Sequence, residues 1–150
     1  MNIAVSSDES SNLTSFVVRY LRDKGHRIVK LGSLADKHVE WAEASLELAE
    51  RVASGKCDEG VLFCWTGTGA CIAANKTRGI RAALCVDAVE ARGARRWNHA
   101  NVLVMSLRRT SEPMAKEILD AWLSEPYGKS SLEKRNLNRI EAMERKGGNK

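Results

Sequence analysis

Apolar positions along this chain follow two alternating rhythms. Short continuous apolar runs end in polar or glycine residues, and each is followed by a stretch with apolar residues three and four apart. The run at 3–5 reads as a first strand, ending at Ser6-Ser7-Asp8-Glu9. A helix then starts at Ser10 or Ser11, carries Leu13, Phe16, Val17, Tyr20 and Leu21 at helical spacing, and closes at Gly25. Residues 26–31 are a second strand, and a helix at about 40–53 puts Ala44, Leu48 and Val52 on one face before Gly55. A buried strand through Val61, Leu62 and Phe63 breaks into a loop and resumes as a helix through Ile72, Ala73 and Ala74, ended by Gly79. Strand 81–86, helix 87–96, a polar turn at 97–101 and strand 102–105 follow. Ser111-Glu112-Pro113 opens a helix with proline in the first turn, where its missing N–H costs nothing. Pro126-Tyr127-Gly128 breaks it, a last helix covers 131–145, and Gly147-Gly148 ends the order.

Strands alternating with helices predict an α/β fold with a parallel sheet covered on both faces. Ligands of such sheets bind beyond the carboxyl ends of the strands. Three loops lie there: Ser7-Asp8-Glu9, the segment 64–69, and 106–109, which brings Asp8, Cys64 and Arg108 into one neighbourhood.

The middle loop carries the chemistry. Cys64-Trp65-Thr66-Gly67-Thr68-Gly69-Ala70-Cys71 joins a strand to a helix through two glycines, an arrangement that aims backbone N–H groups at an anion. A thiolate on Cys64 would gain from the helix start. The loop is not a Walker A motif, because no Lys-Ser/Thr follows the glycines. A dinucleotide fingerprint fails at Ile72, and a cysteine phosphatase would need arginine where Ala70 stands. A cysteine beside a nest of donors suits proton abstraction next to a carbonyl, with the resulting enediolate held by N–H groups.

Composition narrows the setting. A length of 150 residues, 43% hydrophobic and 29% charged, predicts one domain with a real core. There is no apolar run of membrane-spanning length and no signal peptide, so a cytoplasmic protein with reduced thiols is expected. The four cysteines show no CxxC pairing, so neither a metal site nor a disulfide framework is expected. Cys57 and Cys85 read as small buried hydrophobes. The net charge of +5 is concentrated in the tail, where residues 129–150 hold seven Lys/Arg against three Asp/Glu. A nucleic-acid arm would use such a tail, but no aromatic residue follows Tyr127 to stack on bases, and a solvated basic helix is the better reading.

The stretch 64–76, followed by Gly79-Ile80-Arg81-Ala82-Ala83-Leu84-Cys85, resembles the ribose-5-phosphate isomerase B family, which includes the galactose-6-phosphate isomerase subunits. The resemblance runs from Ile3-Ala4-Val5-Ser6-Ser7-Asp8 through Asn98-His99-Ala100-Asn101-Val102-Leu103 to the last helix. It implies a Rossmann-like three-layer αβα sandwich with five parallel strands in a single domain spanning 1–150. It also implies cofactor-free aldose–ketose isomerisation of a sugar phosphate. Homo-oligomers, dimer or tetramer, would share active sites between subunits, with the last helix packing on a partner. On this resemblance Cys64 is the base, Thr66 assists it by hydrogen bonding, and the N–H groups from Gly67 to Cys71, including Thr68, Gly69 and Ala70, hold the enediolate with Asn98. Asp8 contacts substrate hydroxyls and Arg108 the phosphate. Neither nucleic acid, membrane nor metal enters.

Several positions depart from the family pattern. Glu9 stands where the family has histidine, Trp41 replaces a tyrosine, Trp65 a glycine, and Trp97 the ring-opening histidine. The family's last-helix arginines fall at Leu132 and Asn136, leaving Arg108, Arg109, Arg135 or Arg139 to hold phosphate, with His99 a candidate for ring opening. A substrate that cannot close a stable ring, such as a four-carbon phosphosugar, needs no ring-opening group. Three tryptophans at the mouth would narrow the pocket or stack on the sugar. A phosphosugar-binding protein without catalysis is the alternative.

Overall fold

The computed structural model describes residues 1–147, so Gly148 lies outside the described residues. Five strands, β1 (Asn2–Ser7), β2 (Arg27–Gly32), β3 (Glu59–Cys64), β4 (Ala82–Leu84) and β5 (Val102–Ser106), form one sheet in the order β2-β1-β3-β5-β4. Every pairing is parallel, with Ser7 level with Phe63 and Cys64 level with Ser106. Six α-helices connect or follow the strands: α1 (Asn12–Asp23), α2 (Trp41–Ala53), α3 (Thr68–Ala74), α4 (Ala88–Asn98), α5 (Glu112–Ser124) and α6 (Ser131–Gly147). Alternating strand residues feed two cores. Ile3, Val5, Val61, Phe63, Leu103 and Met105 pack with α1, α4 and α5, while Ala4, Leu62, Cys64, Val102 and Val104 pack with α2 and α3. This is the three-layer αβα arrangement that the two rhythms predict. Among the described residues no helix is long and apolar enough to cross a membrane.

Three elements differ most from the sequence expectation, two of them because a side chain captures backbone groups. Helix α3 stops at Ala74, not Gly79. The Asn75 carboxamide takes both backbone groups of Ala82, donating to its O at 2.9 Å and accepting from its N–H at 2.9 Å. Strand β4 is only Ala82–Leu84, since the Arg81 N–H goes to the Asn101 side chain (2.8 Å) and the Val86 N–H to the Glu90 carboxylate (2.9 Å). Helix α4 absorbs Trp97 and Asn98, expected in a turn, and is ended by His99 in the left-handed conformation (φ 49°). Helix α1 is capped by Ser11, whose side chain accepts from the Thr14 N–H in a reciprocal capping box.

The base of the sheet is held by a buried charged group. Glu59, 6% exposed, meets Arg95 Nη2 at 2.7 Å and accepts from Trp122 Nε1 at 2.7 Å. Arg95 also donates to Ala100 O (2.8 Å) and the Tyr127 hydroxyl (2.9 Å). Removing one partner of a buried pair strands the other charge. Arg95→Ala is expected to cost about 3 kcal/mol in urea denaturation.

Candidate active site

Parallel strands joined by helices point all their carboxyl ends the same way, and loops there gather whatever the strands carry outward. The chain leaves β1 towards β2 on one side and returns to β3 on the other, so a crevice opens between the ends of β1 and β3. Asp8 and Cys64 flank it.

Cys64 ends β3 and is buried, 6% exposed. Gly67 turns the chain with φ +83°, and a Cβ there would meet Leu84 Cδ1 at 2.5 Å, so only glycine fits. The turn aims the Gly67 N–H at the Cys64 sulfur, 3.2 Å away. The Cys71 N–H is committed to Gly67 O as the first bond of α3 (3.0 Å). Of the N–H groups from Gly67 to Cys71, those of Thr68, Gly69 and Ala70 are therefore left without a partner inside the helix. Thr66 Oγ1 pairs with Thr68 Oγ1 at 2.8 Å and not with the thiol, so the threonines order the loop rim. Burial pushes the Cys57 and Cys71 thiols up, and that of Cys85 up to about 12.

Asp8 follows β1 directly and does not cap α1, since Ser11 does. Its Oδ1 is buried without a hydrogen-bond partner. Burial holds its carboxyl above the usual range, backbone hydrogen bonding works against this, and Glu9 adds a smaller push upward. The Asp8 carbonyl accepts from Ser33 Oγ at 2.7 Å, which ties this loop to the end of β2. Glu9 is exposed, its N–H on Ser7 Oγ (3.1 Å). The third loop clamps Trp65: Ser106 Oγ and the Arg108 N–H both donate to Trp65 O, at 2.8 and 3.0 Å. The exposed Arg108 side chain thus starts beside the cysteine loop. Ser33 and Ser106 were not singled out from sequence; a serine at a strand end carries no signal beyond its capacity to bond backbone.

Trp41 begins α2 and lies against the cysteine loop, where a Cβ on Gly69 would come within 3.1 Å of its ring. Trp41 and Trp65 are 46% and 59% exposed at this mouth. Trp97 is not there. Its ring folds back on Gly93 of its own helix, and it shares a cleft of about 380 Å³ with Leu84, Val89 and Ala94.

Asn98 also departs from the expected cluster. Helix α4 runs from the carboxyl ends of the strands back to their amino ends. Beyond it, the Gly60 N–H bonds Asn101 O and Arg81 Nε bonds His99 O, contacts made at the starts of β3 and β4. Four residue steps of β3, from Gly60 to Cys64 at about 3.3 Å each, separate that level from Cys64. Asn98 faces instead a cleft of about 490 Å³ shared with Ile80, Ala82, Ile140 and Met143. His99 is not free for ring opening: Nε2 lies 2.8 Å from Gly128 O, and its ring stacks on Tyr127.

Helix α6 crosses the same end. Leu137 is buried and Glu144 accepts from the Gly79 N–H at 3.2 Å. At 100° per residue, Leu132, Arg135, Arg139 and Met143 fall on the side opposite Leu137. Leu132 and Met143 are 59% and 69% exposed, and both arginines are exposed, one turn apart. Leu132 and Asn136 hold no charge, but the helix offers a guanidinium pair three residues further on. The residues that the resemblance assigns to one site therefore fall into two groups, a head and a tail. The head holds Asp8, Glu9, Trp41, Cys64–Cys71 and Arg108, and the tail holds Trp97, Asn98, Arg135 and Arg139. Among the described residues no group of three or more His, Cys, Asp or Glu side chains could hold a metal ion.

The raised Asp8 pKa carries a stability consequence. A carboxyl whose folded pKa lies above its unfolded value stabilises the protein below the unfolded pKa, and this is lost as pH rises through the folded one. Asp8→Asn is expected to raise the melting temperature at neutral pH, with the gain fading towards the ordinary aspartate pKa of about 3.9. Thermal melts across pH read this directly.

The profile of the Ribose/Galactose Isomerase family matches residues 3–143. The chain is 34% identical over 129 residues to a D-erythrulose-4-phosphate isomerase of Pectobacterium atrosepticum, covering 85% of each chain. It is 35% identical over 127 residues to ribose-5-phosphate isomerase B of Escherichia coli, covering 85% of this chain and 83% of that one. The structure of Clostridium thermocellum ribose-5-phosphate isomerase B superimposes with a TM-score of 0.90 at 33% identity, covering 97% and 99% of the two chains. With a buried thiol at a strand end, a glycine-built donor nest beside it and this agreement over nearly the whole chain, the protein belongs to the ribose/galactose isomerase family.

Proposed function

We propose that this chain isomerises a phosphorylated aldose and its ketose without a cofactor, Cys64 carrying the proton. The observation that supports this best is the Gly67 N–H on the Cys64 sulfur at 3.2 Å, with the next three N–H groups free in the same turn. The thiolate takes the proton from C2 of the open-chain aldose. The electron pair moves into the C1–C2 bond, the carbonyl oxygen becomes an enediolate oxygen, and the Thr68, Gly69 and Ala70 N–H groups hold that charge. The hydroxyl proton passes from O2 to O1, and return of the carbon proton from the Cys64 thiol to C1 then gives the ketose, with its carbonyl at C2 and the thiolate restored. Asp8, with one oxygen unpartnered, receives a substrate hydroxyl. A free thiol suits the reducing cytoplasm.

The two half-sites lie at opposite ends of one sheet, so a complete site needs two chains. In a two-fold homodimer the head of each chain meets the tail of the other, giving two equal sites. Asn98 then reaches the enediolate and Arg135 and Arg139 the phosphate, together with Arg108. Ile72, Val89, Trp97 and Met143, exposed around β4, form the apolar surface such an assembly would cover.

The substrate that fits best is a four-carbon sugar phosphate. An aldotetrose 4-phosphate has no free hydroxyl with which to close a stable ring, so Trp97 in place of a ring-opening histidine costs nothing. Trp41 against Gly69 shortens the head pocket. The similarity to a D-erythrulose-4-phosphate isomerase points the same way.

Deuterium exchange in D2O, followed by NMR over four-, five- and six-carbon phosphates, tests this. Exchange next to the carbonyl is expected, fastest on the four-carbon pair, and lost by at least about 10²-fold in Cys64→Ala. Fastest turnover of ribose 5-phosphate would refute the substrate assignment, and no exchange on any sugar would leave a binding protein. Mixing inactive Cys64→Ala with inactive Asn98→Ala subunits is expected to restore roughly a quarter of wild-type activity, since half the dimers are mixed and each holds one intact site.

A further inference from the structure

Asn98 and the α6 arginines belong to different helices, joined by the whole of β5 and α5. Their mutual distance therefore depends on how the start of α6 is fixed to the end of α4. The link between α5 and α6 is fastened there by a tight set of contacts. Arg96 Nε meets Glu125 Oε1 at 2.6 Å, and the Gly128 N–H donates to Arg96 O at 2.8 Å. The Gly128 carbonyl can only accept, so His99 Nε2, 2.8 Å away, carries the proton. The His99 and Tyr127 rings stack with centroids 4.5 Å apart and planes 8° from parallel. Arg95 lies on the other partner of that stack, 4.4 Å from the Tyr127 ring centroid. A Cβ on Gly128 would collide with Arg96 O and the Glu133 carboxylate, so the fit leaves no slack.

His99 is the centre of this fastening. Its left-handed backbone ends α4 directly after Asn98, and its ring holds both Tyr127 and Gly128, three residues ahead of α6. We propose that His99 is a positioning residue of the tail half-site: by latching Gly128 and Tyr127 to the end of α4, it sets Arg135 and Arg139 at a fixed distance from Asn98. This rests on the shared-site reading above. A displacement near 1 Å in a substrate-holding group is enough to cost one to two powers of ten in rate. Histidine does two things here that no shorter side chain can, donating across to Gly128 and presenting a flat face to Tyr127.

The test uses the full-length enzyme and its best sugar phosphate. His99→Asn tolerates the left-handed turn but is too short to reach Gly128, whereas His99→Gln keeps an N–H at the same reach. His99→Asn is expected to lower kcat/KM about tenfold, chiefly through KM, with His99→Gln in between. The decisive measurement mixes His99→Asn with a large excess of Cys64→Ala subunits, so that almost every His99→Asn chain sits in a mixed dimer. In the mixed dimer, the intact head of the His99→Asn chain meets the intact tail of the Cys64→Ala chain. KM is expected to return to the wild-type value if His99 acts only on the tail. A KM that stays raised in the mixture means a general structural defect and overturns the proposal, as does an unchanged KM in His99→Asn alone. Wild-type protein that turns over no sugar phosphate would remove the isomerase reading itself. Wild-type turnover without rescue between Cys64→Ala and Asn98→Ala would remove only the shared site.

Discussion

Everything at the head of this molecule depends on one left-handed residue. Strand β3 must end, and α3 must begin, within the space of Trp65, Thr66 and Gly67. The turn that does this has a φ of +83° and runs so close to Leu84 that no side chain fits. From it follow the N–H on the Cys64 sulfur and the direction of the three free donors behind it. The thiol and the donor nest are thus a single piece of backbone geometry, and neither is adjustable without the other. Burial of Cys64 among Leu62, Ala70 and Val104 adds the low-dielectric surroundings in which a fixed dipole counts most.

The second constraint is polarity. A parallel sheet with helical crossovers has a chemical end, where loops collect, and a structural end, where strands begin. Here the structural end is also furnished, with Asn98, a pair of guanidiniums on α6 and the buried Glu59–Arg95 pair beneath them. Such furnishing at the amino end of a sheet fits the proposal that a second chain completes the site.

Much of the fold was legible in the sequence because burial periodicity is local. Each strand and helix announces itself by which residues face the two cores, and the alternation of types implies the parallel sheet. The nearness of Asp8, Cys64 and Arg108 was legible too, since each stands at the end of a strand or just after it. What escaped was decided by side chains reaching across the chain. Asn75 ends α3 early by bonding Ala82, and no pattern of apolar residues reveals that. Asn98 is assigned to the site by resemblance, yet it sits at the far end of a helix of eleven residues, a separation that strand and helix lengths could have shown. His99 reads as spare catalytic capacity until its ring is found between Gly128 and Tyr127.

The Asn75 carboxamide has one more effect. Strand β4 is an outer strand, and its exposed backbone would otherwise invite a strand from another molecule. Asn75 occupies the donor and the acceptor of Ala82 at once, as a neighbouring strand would, and with only three residues in β4 it leaves little of the edge open. The sheet is in this sense already terminated. In the proposed dimer, copies of this chain would then meet through side chains and helix faces, which favours a closed assembly of fixed size over a sheet that lengthens with each added molecule.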